Sequence, residues 1–164
     1  MIWVIADTHF NHRKLINNNI RPADYQERII KNWNNNVKDD DIVIMLGDIC
    51  WNNDYSVLEQ LKGRKILVRG NHDTKSCETY MDKHFDFACE TFSINYNGLP
   101  LIFSHKPLTD FSELYNIHGH LHSGFHKPSY TTGCHILISL EKMGYTVFSL
   151  KSILKNINKG KRYE

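Results

Sequence analysis

Four short apolar runs, each broken off by a polar cluster, constrain this chain more than any other feature. Ile2-Trp3-Val4-Ile5-Ala6 runs into Asp7-Thr8-His9, and Ile42-Val43-Ile44-Met45-Leu46 into Gly47-Asp48. Ile66-Leu67-Val68 runs into Arg69-Gly70-Asn71-His72-Asp73, and Leu99 to Phe103, interrupted by Pro100, into Ser104-His105. Runs this short, aliphatic and bounded by turn formers read as buried strands rather than helices. Between them, Asp24 to Val37 carries Tyr25, Ile29, Ile30, Trp33 and Val37 at helical spacing, with Asp24 placed to cap it. Asp54 to Lys62 repeats the scheme, opened by Asp54 or Ser56, with Val57, Leu58 and Leu61 inward and Gly63 closing. Strand, helix, strand, helix predicts a parallel sheet with right-handed crossovers.

The second half changes character. Phe92 to Tyr96, Leu101 to Phe103, Ile136 to Leu140 and Thr146 to Phe148 read as strands, with a turn at Asn97-Gly98. Leu150 to Ile157 reads as a terminal amphipathic helix. With 164 residues and no linker, repeat or low-complexity tract, one domain over residues 1–164 is expected. Its layers would be two packed sheets with outer helices.

In an open α/β sheet, ligands gather beyond the carboxyl ends of the strands. All four polar clusters lie there, so Asp7, His9, Asp48, Asn71, His72 and His105 are expected to converge. The segment "HGHLHS" adds His118, His120 and His122, of which His118, in the strand leading in, reads as structural. Carboxylate with imidazole suits divalent manganese, iron, cobalt, nickel or zinc, and without thiolate neighbours no structural zinc knot is implied. Residues at i and i+2 leaving a strand point the same way, so Asp7 pairs with His9 and His120 with His122. This set exceeds the needs of one tetrahedral ion and suits two ions sharing a carboxylate. Such ions, roughly 3.5–4 Å apart, clamp the attacking and leaving oxygens of a displacement at phosphorus and bring a bound water towards a pKa of about 7. Gly47, Gly70 and Gly119, each preceding a ligand, read as permitting sharp turns and close approach of phosphate.

Taken singly, each motif is little more than a strand-end turn. In the order D-x-H, G-D, G-N-H-D, H, G-H-x-H over residues 7 to 122, they resemble the calcineurin-like metallophosphoesterase family. The finer pattern "DTHFNHRK", "RP" then "NWN", and "HGHLHS" is similar to a small, capless bacterial and phage branch. That resemblance implies a four-layer α-β-β-α sandwich of two mixed sheets flanked by helices. It also implies two divalent metal ions, manganese first among those named. Asp7, His9, Asp48 and His122 would hold one ion, and Asp48, Asn71, His105 and His120 the other. His72 corresponds to the family's non-ligand histidine, which donates to the phosphate or protonates the leaving oxygen, and Asp73 would orient its ring. Where the branch commonly has Asn-x-Ser-x-Glu, this chain reads "LISLE", with Leu137 in place of Asn.

The implied activity is metal-dependent hydrolysis of a phosphodiester, a nucleotide or cyclic nucleotide, through a hydroxide bridging the ions. A nuclease acting on nucleic-acid ends and a binding module with a vestigial metal site are the alternatives. His12, Arg13 and His126 follow motif segments and are candidates for substrate binding. Trp51 is placed to stack a base or to wall the cleft, the wall being preferred, and Arg69 reads as pointing away towards a helix carboxylate. A net charge of +2 gives no field that would draw nucleic acid or membrane. Four widely spaced cysteines without C-x-x-C, and an N-terminus without a basic leader, fit reduced thiols in the cytoplasm.

Overall fold

A computed structural model describes residues 1–122 and 134–157. Four parallel strands open the fold in sequence: β1 (Ile2–Ile5), β2 (Ile42–Met45), β3 (Arg64–Val68) and β4 (Phe87–Cys89). Late in the chain β9 (Phe148–Ser149) adds antiparallel to β1, giving the order β4-β3-β2-β1-β9. The second sheet, ordered β5-β6-β7-β8, comprises β5 (Thr91–Tyr96), β6 (Leu99–Ser104), β7 (Tyr115–His118) and β8 (His135–Leu137). Both sheets are mixed, because β5 pairs antiparallel with β6 while β6, β7 and β8 run parallel.

Two cores follow from the alternation of side chains along buried strands. On one face of the first sheet, Ile5, Val43, Met45 and Leu67 meet Tyr25, Ile29 and Trp33 of α2 (Tyr25–Asn36). Each large apolar side chain so buried contributes about 1.5–3 kcal/mol. On the other face Val4, Ala6, Ile44, Leu46 and Val68 meet Leu101, Phe103, Ile117 and Ile136 of the second sheet. Leu150, Ile153 and Leu154 of α4 (Leu150–Ile157) close this inter-sheet layer. On β5, Phe92, Ile94 and Tyr96 pack towards that core while Thr91, Ser93 and Asn95 are exposed. The Asn97-Gly98 turn is present, both residues having positive φ (52° and 83°), as a two-residue hairpin between right-twisted strands requires.

Several local expectations are corrected. Asp24 occupies the cap position of α2 without capping it, because its carboxylate takes Arg28 Nε at 2.8 Å instead. Asp54 to Lys62 is not an α-helix but holds one 3-10 turn, Ser56–Gln60, which follows another at Trp51–Asn53. Asp54 Oδ1 accepts from both the backbone N–H and the hydroxyl of Ser56, a local bond that competes with helix formation. Val57, Leu58 and Leu61 are nevertheless buried as expected. Two helices were not anticipated, the five-residue α1 (Arg13–Asn17) and α3 (Cys77–Lys83), although Ser76 Oγ caps α3 by accepting from Thr79 N–H. β7 is the strand expected to carry His118, and β8 ends three residues sooner than the run Ile136 to Leu140 suggests. Arg69 pairs with Glu90, just after β4 rather than on a helix. The cysteines are free, and no helix among the described residues is long and apolar enough to cross a membrane.

Candidate metal centre

The seven expected ligands come together beyond the carboxyl ends of β1, β2, β3, β6 and β7. Two groups form: donor atoms of Asp7, His9 and His122 lie within 4.8 Å of one another, as do those of Asp48, His105 and His120. Asn71 joins the second group, its Oδ1 3.0 Å from His105 Nε2. Asp48 stands between them, with Oδ2 3.8 Å from His9 Nε2 and 3.5 Å from His105 Nε2.

The i, i+2 pairs arise differently from the way strand alternation predicts. β1 ends at Ile5, and Asp7 and His9 then both adopt left-handed backbone, with φ of 52° and 46°. Asp48, His120 and His122 do the same. Such conformations cost of order 1–3 kcal/mol each outside glycine and persist only where surrounding bonds impose them. Those bonds are present: Asp7, His9 and Phe10 N–H donate to Gly47, Asp48 and Ile49 carbonyls at 3.1, 3.0 and 2.8 Å. Close packing extends to the glycines. A Cβ on Gly70 would stand 2.2 Å from Asp48 Oδ1, and one on Gly119 2.6 Å from Asp7 Oδ2. These glycines make room for the Asp48 and Asp7 carboxylates.

Ring orientation is set from behind. His105 Nδ1 donates to Leu46 O at 2.8 Å, which leaves Nε2 as the lone pair facing the site. His122 Nδ1 lies 3.1 Å from Glu141 Oε1, which turns Nε2 towards His9 Nε2 at 3.3 Å. The hydrogen bond to Glu141 raises the His122 pKa despite partial burial. Burial alone would raise Glu141, but His122 and Arg21 outweigh it and hold it at about 2. Arg21, whose side chain is fully buried, fastens the arrangement. It donates to Thr8 O at 3.0 Å, to Asp7 O at 2.9 Å, and through Nε and Nη2 to Glu141 at 2.8 and 2.6 Å. Sequence reading missed both residues as functional; their signals were the Arg-Pro of "RP" and the Glu closing "LISLE".

Asp73 has a different place from the one expected. Its Oδ2 accepts Asp48 N–H and Gly70 N–H, both at 2.8 Å, and its Oδ1 accepts Ile49 N–H at 3.2 Å. The carboxylate thus ties the β2 and β3 loops together, and no hydrogen bond joins it to the His72 ring. His72 is half-exposed at the mouth, its Nε2 3.9 Å from Asp48 Oδ2, and its backbone N–H donates to Asp48 Oδ1. His12 and Arg13 lie in an adjoining cleft with Trp51. His118 stays buried in β7, as its structural reading implies. His126 lies outside the described residues.

The donor set fits divalent cations. Asp7 is buried, its Oδ1 lacks a hydrogen-bond partner, and burial pushes its pKa up to about 7. Burial, with His122 and Arg21 nearby, pushes His9 down to about 2, which keeps it neutral and its ring nitrogen open to a cation. A raised carboxylate pKa means that the folded state binds the proton more tightly. Its contribution to stability is therefore full below about pH 4 and lost as pH rises through 7. Asp7→Asn removes that cost while keeping an oxygen for His120 N–H, which donates to Asp7 Oδ2 at 2.8 Å. In chelator at pH 8 the variant should be more stable than wild type by on the order of 2 kcal/mol. It should also lose the rise in melting temperature on adding manganese. Calorimetry with and without metal measures both, and a variant less stable than wild type in chelator would contradict the assignment.

Comparison with known proteins covers the same ground. The family described as calcineurin-like phosphoesterase matches residues 1–158. An uncharacterized protein of Methanocaldococcus jannaschii is 34% identical over 178 aligned positions, spanning 98% of this chain and 93% of that one. The crystal structure of a protein of unknown function from Aquifex aeolicus is similar with a TM-score of 0.76 at 26% identity, over 94% of this chain and 98% of that one. The family match runs from β1 through α4 and so takes in every side chain named above.

Proposed function

We propose, from the premise that this chain belongs to the calcineurin-like phosphoesterase family, that it is a phosphodiesterase working with two divalent ions. The observation that carries this reading is the placement of Asp48 Oδ2 between two imidazole-carboxylate groups, each compact enough for one ion. Asp7, His9, Asp48 and His122 would hold one ion, and Asp48, Asn71, His105 and His120 the other. Bound there, two ions neutralise charge on the phosphoryl oxygens and acidify the attacking water, a role open to manganese, iron, cobalt, nickel or zinc.

The chain's own side chains do the remainder. Asp48 keeps both sites on one carboxylate, which limits the negative charge buried there. Asp73 holds the Asp48 and Gly70 backbone, and Arg21 with Glu141 hold His122. His72 stands at the mouth, 5.8 Å from His9 between ring centroids, where it can reach an oxygen leaving phosphorus. As water oxygen bonds to phosphorus and its proton passes to solvent, the ester P–O bond breaks and the departing oxygen takes the proton from His72. The half-exposed mouth admits a phosphate esterified on two sides, which supports diester over monoester.

The test uses chelator-stripped protein with a generic aryl phosphodiester and the matching monoester, each divalent metal being returned singly. Diester hydrolysis should return with two ions per chain. His72→Ala should lose about 10²–10⁴-fold in rate at undiminished metal content. Turnover of the monoester alone, or full activity with one ion per chain, would refute the proposal.

A further inference from the structure

A cleft of about 570 Å³ opens beside His72 and is used by none of the steps above. We infer that it is a leaving-group subsite for a nucleotide unit, a planar base carrying its own phosphate; this rests on the phosphodiesterase reading. Trp51 and His12 stack within it at 3.8 Å and 3° between ring planes. This platform reaches the centre on two sides. His12 lies 5.5 Å from His9, and Trp51 lies 5.3 Å from His72, between ring centroids. A group attached to the oxygen that His72 protonates therefore emerges over the platform.

Charge in the cleft selects an anion. Arg13 and Lys14 line it, and neither side chain has an ion pair or hydrogen bond among the described residues. The cleft's carboxylate, Asp54, is already engaged: Oδ1 accepts from Ser56 and Oδ2 from Asn11 Nδ2. Gln26 Oε1 accepts Asn11 N–H at 2.8 Å, which leaves its amide N–H group to donate. Aromatic platform, two cations against one carboxylate, and a free amide donor in a cavity of ordinary ligand size together match a nucleotide. A bare aryl group would leave the cations unused, and inorganic phosphate would leave the rings unused. Of the two readings of Trp51, base stacking and a cleft wall, its stacking on His12 beside two cations favours the first.

AMP titrated calorimetrically into chelator-stripped protein reads the cleft without the metals. AMP should bind more tightly than adenosine or inorganic phosphate. Trp51→Ala should weaken it by roughly 10–100-fold, the usual effect of losing one stacking ring. Arg13→Ala/Lys14→Ala, at exposed positions that spare the core, should weaken it about 10-fold or more. AMP bound no better than phosphate, or equally by wild type and the double variant, overturns the subsite. In metal-loaded enzyme, the ratio of kcat/KM for a linear adenine dinucleotide to that for an aryl diester should exceed one and fall in the double variant. An unchanged ratio overturns the subsite, whereas loss of all diester hydrolysis in wild type overturns the phosphodiesterase reading and leaves the AMP titration to judge the cleft alone. A single-stranded oligonucleotide distinguishes the sources of the shared chemistry. Preference for the dinucleotide assigns small nucleotides; preference for the oligonucleotide, weakening with salt, assigns strand ends.

Discussion

Asp48→Asn is expected to lower kcat/KM for a phosphodiester by about 10³-fold or more, equivalent to the several kcal/mol that metal charge supplies at phosphorus. The substitution keeps shape and one acceptor oxygen, so His72 N–H, 2.9 Å from Asp48 Oδ1, can retain its bond. What it removes is the charge on Oδ2, the atom that stands between His9 and His105. Metal analysis should therefore show fewer than two ions per chain, with the folded state intact by circular dichroism. Two ions per chain and turnover within tenfold of wild type would show that the two sites do not share Asp48.

Arg21→Met is expected to cost about 3–5 kcal/mol of stability, because it strands one member of a buried ion pair. Since domains of this kind are held by roughly 5–15 kcal/mol, much of the folded margin would go. The guanidinium serves three segments at once: the Asp7 and Thr8 carbonyls after β1, Glu141 before β9, and through Glu141 the His122 ring. The double variant Arg21→Met/Glu141→Leu should regain part of the stability, since neither charge is then left alone. It should not regain metal affinity, because His122 loses the acceptor that fixes its ring. Urea denaturation and metal titration separate the two effects. A single variant within 1 kcal/mol of wild type would mean that the network is idle in stability.

Legibility followed distance along the chain. Asp7, His9, Asp48, Asn71 and His105 could be read because each lies within a few residues of the end of its own apolar run, where sheet geometry gathers loops at one edge. The hairpin at Asn97-Gly98 was equally local, since two residues with positive φ suffice to make it. Asp73 was expected beside the His72 ring and stands elsewhere. Its sequence position beside His72 suggested a side-chain contact, whereas the three N–H groups that satisfy it come from Gly70, Asp48 and Ile49. The helix expected from Asp54 failed for the converse reason, a side-chain bond to Ser56 too local for hydrophobic spacing to reveal.

Taken by itself, the sequence determined the two-sheet α/β class, and the set and order of the candidate ligand side chains that the fold brings together, because these depend on short-range pattern. Only the tertiary structure decided what holds those side chains in place. Arg21 and Glu141 stand 120 residues apart, and Trp51 finds its stacking partner in His12 on a different loop. Contacts between distant segments exist only once burial has packed the sheets and loops together. A buried charge or an aromatic face acquires its role from the neighbours that packing supplies.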